Sequence, residues 1–586
     1  MRRLHFIFVK RKTTILDRLR YILLITVAFS CQQIVFAQKN NSVSELNEVD
    51  KKINESIYVS TNANSFLTGE TLHYKIFCID KSAKTASVFS KIAYVQLVDN
   101  TKKTVFTHKL FLDKATGNGD FFIPTTLETG SYKLIGYTNW MLNKSAQEYF
   151  SADIYILNPY KENPSTNTVS YNAVSSEAIQ NSNISFDIKN KSYNTRDLID
   201  LNIKSNSEEF TKGNYTLSVR KSDGYLVQNK ATFSNTEGQS GEITGSNFLL
   251  PELRGEIITG KITSENADIK NKKVALSVVG KDSDLKIAKT DDQGKFYFIL
   301  EKENPNSNII VQVLETGKEN YAIEIDKQKD VDFSNLTFPT VQFNSDFKQN
   351  ITDRLISTQV ENAYYDVKKD SLLPPAPSIP FFGLASEEFK LDDFTRFPNI
   401  EETITEILKG VYYRKYDNEY TIHVYDYNEN YESALPAMIL VDGLILENLN
   451  EFFAFTPKSI SKVNVVRGIY YYGSKSYNGI VSFTTKNGDY DTKLKGKFIV
   501  RPEILRPQVK KNYFSPDYAD NKNARIPDYR HQLLWQPNID LSKTTNSKFY
   551  ASDVAGKYEV TLEGFSASGK PVFIKDFIEI KEKTSN

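Results

Sequence analysis

Cysteine is almost absent from this chain, whose 586 residues contain only Cys31 and Cys78. Cys31 lies in an N-terminal stretch with the pattern of a leader, so removal of that stretch leaves Cys78 alone and excludes an intramolecular disulfide. Histidine, tryptophan and methionine are scarce as well, with five, two and three copies. Apolar cores must therefore hold the fold together, and 34 Tyr and 37 Phe supply much of their material.

The short motifs of common enzymes are also missing. The sequence has no His-Glu-x-x-His, Gly-x-Ser-x-Gly, phosphate-binding glycine loop or Cys-x-x-Cys. The histidines beyond the leader, none of which has metal-ligand spacing, are His73, His108, His423 and His531. We expect a protein that is not an enzyme and has no cofactor or metal site, although two carboxylates distant in sequence could still form a hydrolase.

No apolar run long enough to cross a membrane as a helix occurs after residue 37. Before it, basic residues precede the apolar run 21–30, and Val35-Phe36-Ala37 supplies a cleavage motif. We expect a signal peptide over residues 1–37 and an exported mature chain that begins at Gln38. An uncleaved anchor and lipidation at Cys31 remain alternatives, but Ala28 and Phe29 fit a lipobox poorly.

Charge is balanced, with 73 basic and 72 acidic residues. The leader is basic, so the mature chain is mildly acidic, which argues against a nucleic-acid partner. Short alternating strands with Gly, Pro and Asn turns predict a mainly β fold of tandem β-sandwich domains plus a small α/β domain. The predicted units are sandwiches at 53–158, 179–250, 251–330 and 531–586, a linker at 331–385, the α/β domain at 386–492 and a connector at 493–530.

The α/β domain carries the most specific pattern in the chain. Its motif residues are Val441-Asp442-Gly443, Ile460, Val463, Val465, Arg467, Tyr472-Gly473, Asn478-Gly479-Ile480 and Thr484-Thr485-Lys486. In order and spacing they resemble the plug domain of TonB-dependent outer-membrane transporters of the Bacteroidetes. A transporter barrel needs about 22 strands of about 9–11 residues, whereas the sequence after Tyr490 is short and lacks serial alternation. We therefore expect a plug-like domain without its own transmembrane barrel.

Three other regions resemble known β-sandwich families. The first sandwich resembles a macroglobulin-like domain of the α2-macroglobulin superfamily through Tyr58-Val59-Ser60-Thr61, Gly69-Glu70, Gly119-Asp120-Phe121 and Gly136-Tyr137. The thioester tetrapeptide Cys-Gly-Glu-Gln of protease-trapping macroglobulins is absent. Residues 257–262 and 291–296 resemble the carboxypeptidase-regulatory-like sandwich. The last sandwich is similar to a late macroglobulin-family or Ig-like domain, with a secretion-system sorting domain as the alternative.

Together these resemblances imply a non-enzymatic accessory or structural protein at the outer membrane, on its periplasmic face or at the cell surface. Its partner would be an outer-membrane protein complex, either a TonB-dependent transporter or secretion and assembly machinery. The alternative is a surface protein that binds carbohydrate or peptide. Large aromatic residues at loop tips favour interfaces, so the expected docking residues are Phe452, Phe453, Tyr470, Tyr471 and Tyr472.

Overall fold

The computed structural model describes residues 53–144, 149–161, 179–222, 248–339, 348–373, 379–383, 386–425, 435–473, 475–520 and 525–582. The predicted leader, with Cys31 and the cleavage motif, lies outside these residues. Strands make up 46% of the structure and helices 10%, whereas an average soluble protein has about 20–25% strand. The prediction of a mainly β fold is confirmed.

The first sandwich contains nine strands. They are β1 (Glu55–Thr61), β2 (Ser65–Leu67), β3 (Thr71–Asp80), β4 (Thr85–Ala86), β5 (Ile92–Asp99), β6 (Thr104–Phe111), β7 (Thr116–Phe122), β8 (Gly130–Tyr137) and β9 (Phe150–Leu157). One sheet has the order β1-β3-β4, with β7 also paired to β3, and the other has the order β2-β9-β8-β5-β6. Alternating apolar residues such as Leu72, Ile76 and Leu134 are fully buried in its core.

Two groups of elements follow. The first group is β10 (Ile184–Asp187), β11 (Ser192–Asn194), β12 (Leu198–Ser205), helix α1 (Glu208–Thr211) and β13 (Asn214–Lys221). The second is β14 (Glu256–Thr263), β15 (Lys273–Val278), β16 (Asp284–Lys289), β17 (Lys295–Leu300), β18 (Ile309–Val313) and β19 (Ala322–Ile325). The second group forms the third sandwich, with sheets β17-β14-β19 and β16-β15-β18.

The predicted linker contains a helix, α2 (Lys348–Ala363), and a short strand, β20 (Ser371–Leu372). The predicted α/β domain follows, and it keeps the name plug-like domain only for its sequence pattern. Its elements are β21 (Glu387–Lys390), α3 (Ile400–Ile407), β22 (Val411–Tyr416), β23 (Glu419–Val424), β24 (Met438–Val441), β25 (Leu444–Leu446), α4 (Asn450–Phe453), β26 (Ile460–Tyr472) and β27 (Lys475–Thr485). Its sheet has the order β21-β26-β27-β24-β25, with β24 parallel to β27, and β22 and β23 form a separate ribbon.

The remaining strands join domains that precede them in sequence. They are β28 (Ile499–Val500), β29 (Lys511–Asn512), β30 (Gln532–Ile539), β31 (Asn546–Tyr550), β32 (Gly556–Phe565) and β33 (Pro571–Lys581). Strand β28 pairs with β18 of the third sandwich, and β29 pairs with β20. The predicted connector 493–530 therefore contributes to two separate sheets.

The second sandwich is built from two segments that lie far apart in sequence. Its sheets have the orders β10-β12-β31 and β11-β33-β32-β13-β30. Strand β13 forms ladders with β32 on one edge and β30 on the other, and Leu217 lies opposite Leu562. The structure thus differs from the prediction of separate sandwiches at 179–250 and 531–586, because neither segment completes a sheet alone.

Buried polar groups join the sandwiches. Between the first and second, the Glu563 carboxylate accepts hydrogen bonds from the hydroxyls of Tyr58 and Ser60. Between the first and third, the Glu256 carboxylate lies 2.7 Å from Lys109 Nζ and also pairs with Arg506. These contacts cross domain boundaries, and a buried charge that loses its partner is costly, so they fix the sandwiches against each other.

Candidate functional site

The plug motif lies at the contact between the plug-like domain and the third sandwich. Asp442 is buried and adopts a left-handed conformation in the β24–β25 turn. Its carboxylate accepts hydrogen bonds from Thr485 N (2.7 Å), Thr485 Oγ1 (2.6 Å) and Tyr490 N (3.0 Å). A Cβ on Gly443, which has a φ of +83°, would lie 2.2 Å from Ser283 Cβ in the third sandwich. The Val441-Asp442-Gly443 motif therefore has a structural role.

The other predicted motif residues have similar roles. Val441 is fully buried, and the Asn478 side chain donates to Val424 O at 2.9 Å. Gly473 and Gly479 both have positive φ angles. The third sandwich and the plug-like domain share one continuous apolar core. The motif thus links two domains that were predicted as separate units.

The predicted docking residues Phe452 and Phe453 are buried, with 0% and 6% of their surface exposed. Phe452 packs at 4.6 Å from the ring of Phe483, and Phe453 stacks at 3.8 Å on Tyr420. The expectation that they contact a partner is wrong, because helix α4 turns both rings into the core. The sequence did not reveal this, because two adjacent Phe residues in a short segment are compatible with either a buried helical turn or an exposed loop tip.

Tyr470, Tyr471 and Tyr472 lie at the end of β26 rather than in a loop. The Tyr472 hydroxyl donates to Leu285 O of the third sandwich, and the Tyr470 hydroxyl donates to Phe381 O at 3.3 Å. Tyr471 points the other way and is 76% exposed. Alternation along the strand therefore leaves Tyr471 as the one of the five predicted docking residues that is free to meet a partner.

A cleft of about 700 Å³ lies between segments that are far apart in the sequence and were not predicted to meet. Strands β3 and β7 of the first sandwich line one side, β13 and β30 of the second sandwich another, and helix α2 a third. Lys511 of β29 and the following residues Tyr513 and Phe514 also contribute to the lining. No local pattern could have indicated this site, because it forms only when the two sandwiches and the helix come together.

Glu70 anchors helix α2 to the first sandwich. Its carboxylate receives two hydrogen bonds of 2.6 Å from the Arg354 guanidinium, and Arg220 Nη2 lies 3.6 Å away. Burial alone raises the pKa of Glu70, but the charges of Arg354 and Arg220 outweigh burial and lower the pKa to about 2. The Glu70–Arg354 pair is therefore ionised at neutral pH and fixes helix α2 at the side of the cleft.

The turn before Glu70 fits closely under the helix. Gly69 has a φ of +93°, and a Cβ there would lie 3.0 Å from both Asn362 and Thr358 on α2. Asn362 Nδ2 donates to Gly69 O at 3.0 Å, and Arg354 Nη2 donates to Ser65 O at 3.0 Å. The Gly69-Glu70 pair thus explains why the helix can pack at this position.

Aromatic and imidazole rings form the inner part of the cleft. The His73 ring stacks on Trp535 at 5.8 Å and meets the edge of Tyr513 at 4.7 Å. His531 lies in the same cleft and shares a hydrogen bond of 3.2 Å with Ser357 Oγ. Burial lowers the pKa of His73 to about 4 and that of His531 to about 3. Both rings are therefore neutral at neutral pH, and the structure brings together two histidines that sequence spacing did not relate.

The acidic residues of the cleft already have partners. Asp120 pairs with Lys511 at 2.8 Å, and Glu361 pairs with Lys368 at 2.7 Å. The Asp370 carboxylate accepts a hydrogen bond from Phe514 N at 2.8 Å, and burial raises its pKa. With Glu70, these are the four acidic residues of the lining, and Arg220, Lys368, Lys511 and Arg530 are its four basic ones. The cleft therefore has no net charge.

Three exposed aromatic rings stand around the cleft, each from a different part of the chain. Phe122 ends β7, Tyr365 follows α2 and Tyr529 precedes β30, and they are 52%, 57% and 36% exposed. Exposed apolar patches and concave pockets lined by aromatic side chains are features of binding sites. The rim is thus suited to bind apolar groups.

Across the residues that the structure covers, no group of three or more His, Cys, Asp or Glu side chains is arranged to hold a metal ion. Within the same residues, no helix has both the length and the apolar character needed to cross a membrane. The features of the cleft that bear on binding are therefore its aromatic rim and its paired charges.

No family model and no curated protein matches this chain. Solved structures similar to parts of it include an α-2-macroglobulin from Salmonella reacted with methylamine, at 10% identity and a TM-score of 0.15, over 90% of this chain and 23% of that one. Escherichia coli α-2-macroglobulin activated by porcine elastase is 7% identical, with a TM-score of 0.22, over 90% of this chain and 44% of that one.

A third similar structure is a β-glucosidase from Listeria innocua, at 16% identity and a TM-score of 0.12, which covers 17% of this chain and 16% of that one. This chain spans less than half the length of the matched macroglobulin chains. The TM-scores are too low to support an argument about function, and the β-sandwich architecture rests on the strand pairings of this chain.

Proposed function

We propose that the protein is a non-enzymatic accessory protein at the outer membrane that docks on a membrane-embedded protein complex through the cleft. The observation that carries the proposal is the set of exposed aromatic rings, Phe122, Tyr365 and Tyr529, around a cleft built by three parts of the fold. Large aromatic residues at concave surfaces are common anchors of protein interfaces.

The absence of catalysis is part of the proposal. Each acidic residue of the cleft accepts hydrogen bonds from a cation or a backbone amide, and such an arrangement suits binding rather than proton transfer. The balanced charge of the lining also gives no attraction for nucleic acid.

The location and the kind of partner rest on the sequence. The leader pattern supports export, and the plug motif resembles a domain of TonB-dependent transporters. We propose such a transporter, or outer-membrane secretion or assembly machinery, as the complex that the cleft meets. The exposed Tyr471 of the plug-like domain offers a second surface for contact.

A photo-crosslinking amino acid placed at Tyr365 or at Tyr471 in the full chain tests the proposal. Crosslinking in intact cells followed by mass spectrometry is expected to join position 365 to an integral outer-membrane protein. A crosslink from position 471 alone would move the docking surface to the plug-like domain. The proposal fails if neither position yields an outer-membrane protein.

The second candidate is a surface protein that binds carbohydrate. The same rings favour it, because flat aromatic faces over a polar cleft can also hold a sugar ring, and the cleft volume suits a small ligand. Retention of the full chain on a polysaccharide column, lost in Tyr365→Ser and kept in Tyr471→Ser, would support this candidate over docking.

A further inference from the structure

Exposed apolar side chains are concentrated in one short stretch beside the cleft. Seven of the 24 large exposed apolar residues among the described positions lie between residues 356 and 379. They are Ile356, Tyr364, Tyr365, Val367, Leu372, Leu373 and Ile379. Exposed apolar side chains that gather in one segment, rather than occurring singly over the surface, suit an interaction surface.

Strand β20 lies within this stretch and has one partner strand. It pairs with β29 in a two-stranded sheet, and no other described strand joins it. The Leu373 amide donates to Lys510 O at 2.8 Å across this ladder. Because hydrogen-bonding groups alternate between the two sides of an antiparallel strand, the backbone groups of Leu372 point away from β29. Leu372 is 64% exposed, so this outer edge is open.

The open edge lies next to the cleft. Asp370 precedes β20, Lys511 lies opposite Leu372 on β29, and both line the cleft. A chain that paired with β20 would therefore lie beside the cleft that Tyr365 and Phe122 also line.

We propose that β20 accepts an extended segment of the partner protein as a third strand, and that a bulky apolar side chain of this segment enters the cleft. The inference rests on the proposed docking function and names how the partner is held. Backbone hydrogen bonds at the edge supply affinity and the cleft supplies selectivity, as in other cases of strand addition. The segment carries no net charge, because the cleft has none and its acids are already paired.

The test begins with a phage-displayed library of random dodecapeptides selected on the immobilised full chain. The enriched peptides are expected to alternate apolar and small polar residues and to have no net charge. The best one, labelled with fluorescein, is then titrated with the full chain and its variants by fluorescence anisotropy. If no peptide is enriched, or if the enriched peptides are highly charged, the inference is overturned.

Leu372→Pro removes the amide that points away from β29, so the β20–β29 pairing is kept while the open edge is blocked. It is expected to weaken peptide binding by about tenfold or more, because the peptide loses one backbone hydrogen bond and the proline ring hinders its approach to the edge. Leu372→Ala keeps the amide and is expected to bind more tightly than Leu372→Pro. Equal binding by wild type and Leu372→Pro would refute strand addition.

Tyr365→Ser tests the cleft, and its matched control is Tyr416→Ser, which changes a tyrosine that is 80% exposed in the β22–β23 ribbon. The first is expected to weaken binding about tenfold and the second to leave it unchanged. Should Leu372→Pro fail to fold, a peptide N-methylated at alternate residues tests the edge on the wild-type protein, and unchanged affinity of that peptide would refute the inference.

The proposed function and the inference can fail separately. A crosslink from position 365 to an outer-membrane protein that persists in Leu372→Pro would leave docking intact and refute strand addition. No crosslink from either position would remove the docking function itself.

Discussion

Replacing Arg354 by Met should loosen helix α2 from the first sandwich. The substitution keeps most of the apolar stem but leaves the Glu70 carboxylate, whose side chain is 10% exposed, without its bidentate partner. Breaking a buried ion pair from one side costs about 3–5 kcal/mol. The lowered pKa of Glu70 gives a similar value, because a shift from 4.5 to about 2 corresponds to about 3 kcal/mol at neutral pH.

Hydrogen exchange followed by mass spectrometry measures this change locally. Peptides from Lys348–Ala363 are expected to lose about a hundredfold in protection at pH 7, which is the equivalent of about 3 kcal/mol. Peptides from the plug-like domain should be unaffected. The matched control is Glu70→Gln with Arg354→Met, which removes both charges and should recover much of the protection.

The effect should depend on pH in one direction. The folded pKa of Glu70 lies below its unfolded value, so the stabilisation by this pair is fully present above pH 4.5 and is lost as the pH falls towards 2. The melting temperatures of wild type and Arg354→Met should therefore converge in this range. Wild-type protection of α2 in the single variant, or no recovery in the double variant, would refute the electrostatic explanation.

Three further outcomes are expected. Burial raises the pKa of Glu252 to about 7, so the folded state is favoured while this carboxyl is protonated, and that stability is lost as the pH rises from 4.5 to 7. Glu252→Gln should therefore raise the free energy of unfolding by up to about 3 kcal/mol at pH 8 and leave it unchanged at pH 4. Thermal unfolding at the two pH values measures the difference. Asp442→Ala should lower the stability of the plug-like domain by about 3 kcal/mol, because two buried backbone amides lose their acceptor. Limited proteolysis should therefore cut this variant faster than the wild type. Asp417→Ala, in an exposed turn, is the control and should be cut at the wild-type rate. Phe452→Ser should cost about 4 kcal/mol and Tyr471→Ser less than about 0.5 kcal/mol in denaturant titrations, and equal effects would contradict the burial of Phe452.

Local patterns predicted much of the fold. In β26, Val463 and Val465 are buried while Lys462 and Asn464 are not, and this alternation, typical of a half-buried strand, can be read from the sequence. Helix α3 begins after Asn399, whose side chain accepts a hydrogen bond from Glu402 N, and Glu401 and Glu402 lie in its first turn. These features depend on neighbours within a few residues, which the sequence contains.

Long-range pairing was not accessible in the same way. Nothing near β13 indicates that β30 and β32 are its partners, because a strand pattern specifies a face and not the strand beside it. The cleft was missed for the same reason, since Glu70, Arg354 and Trp535 come from three distant segments. The exposure of Tyr471 likewise depends on Tyr472 meeting the third sandwich on the opposite face of the strand, and the burial of Phe452 depends on its packing against Phe483.

The divided second sandwich has a consequence for the order of folding. During synthesis, β13 emerges about 310 residues before β30, which at about 5–20 residues per second is an interval of roughly 15–60 s. The third sandwich and the plug-like domain lie inside this interval and share their own core, so they can form first. Strands β10–β13 meanwhile keep open edges, a state prone to wrong pairing, and the last strands to be made both complete this sandwich and bring Trp535 and His531 into the cleft.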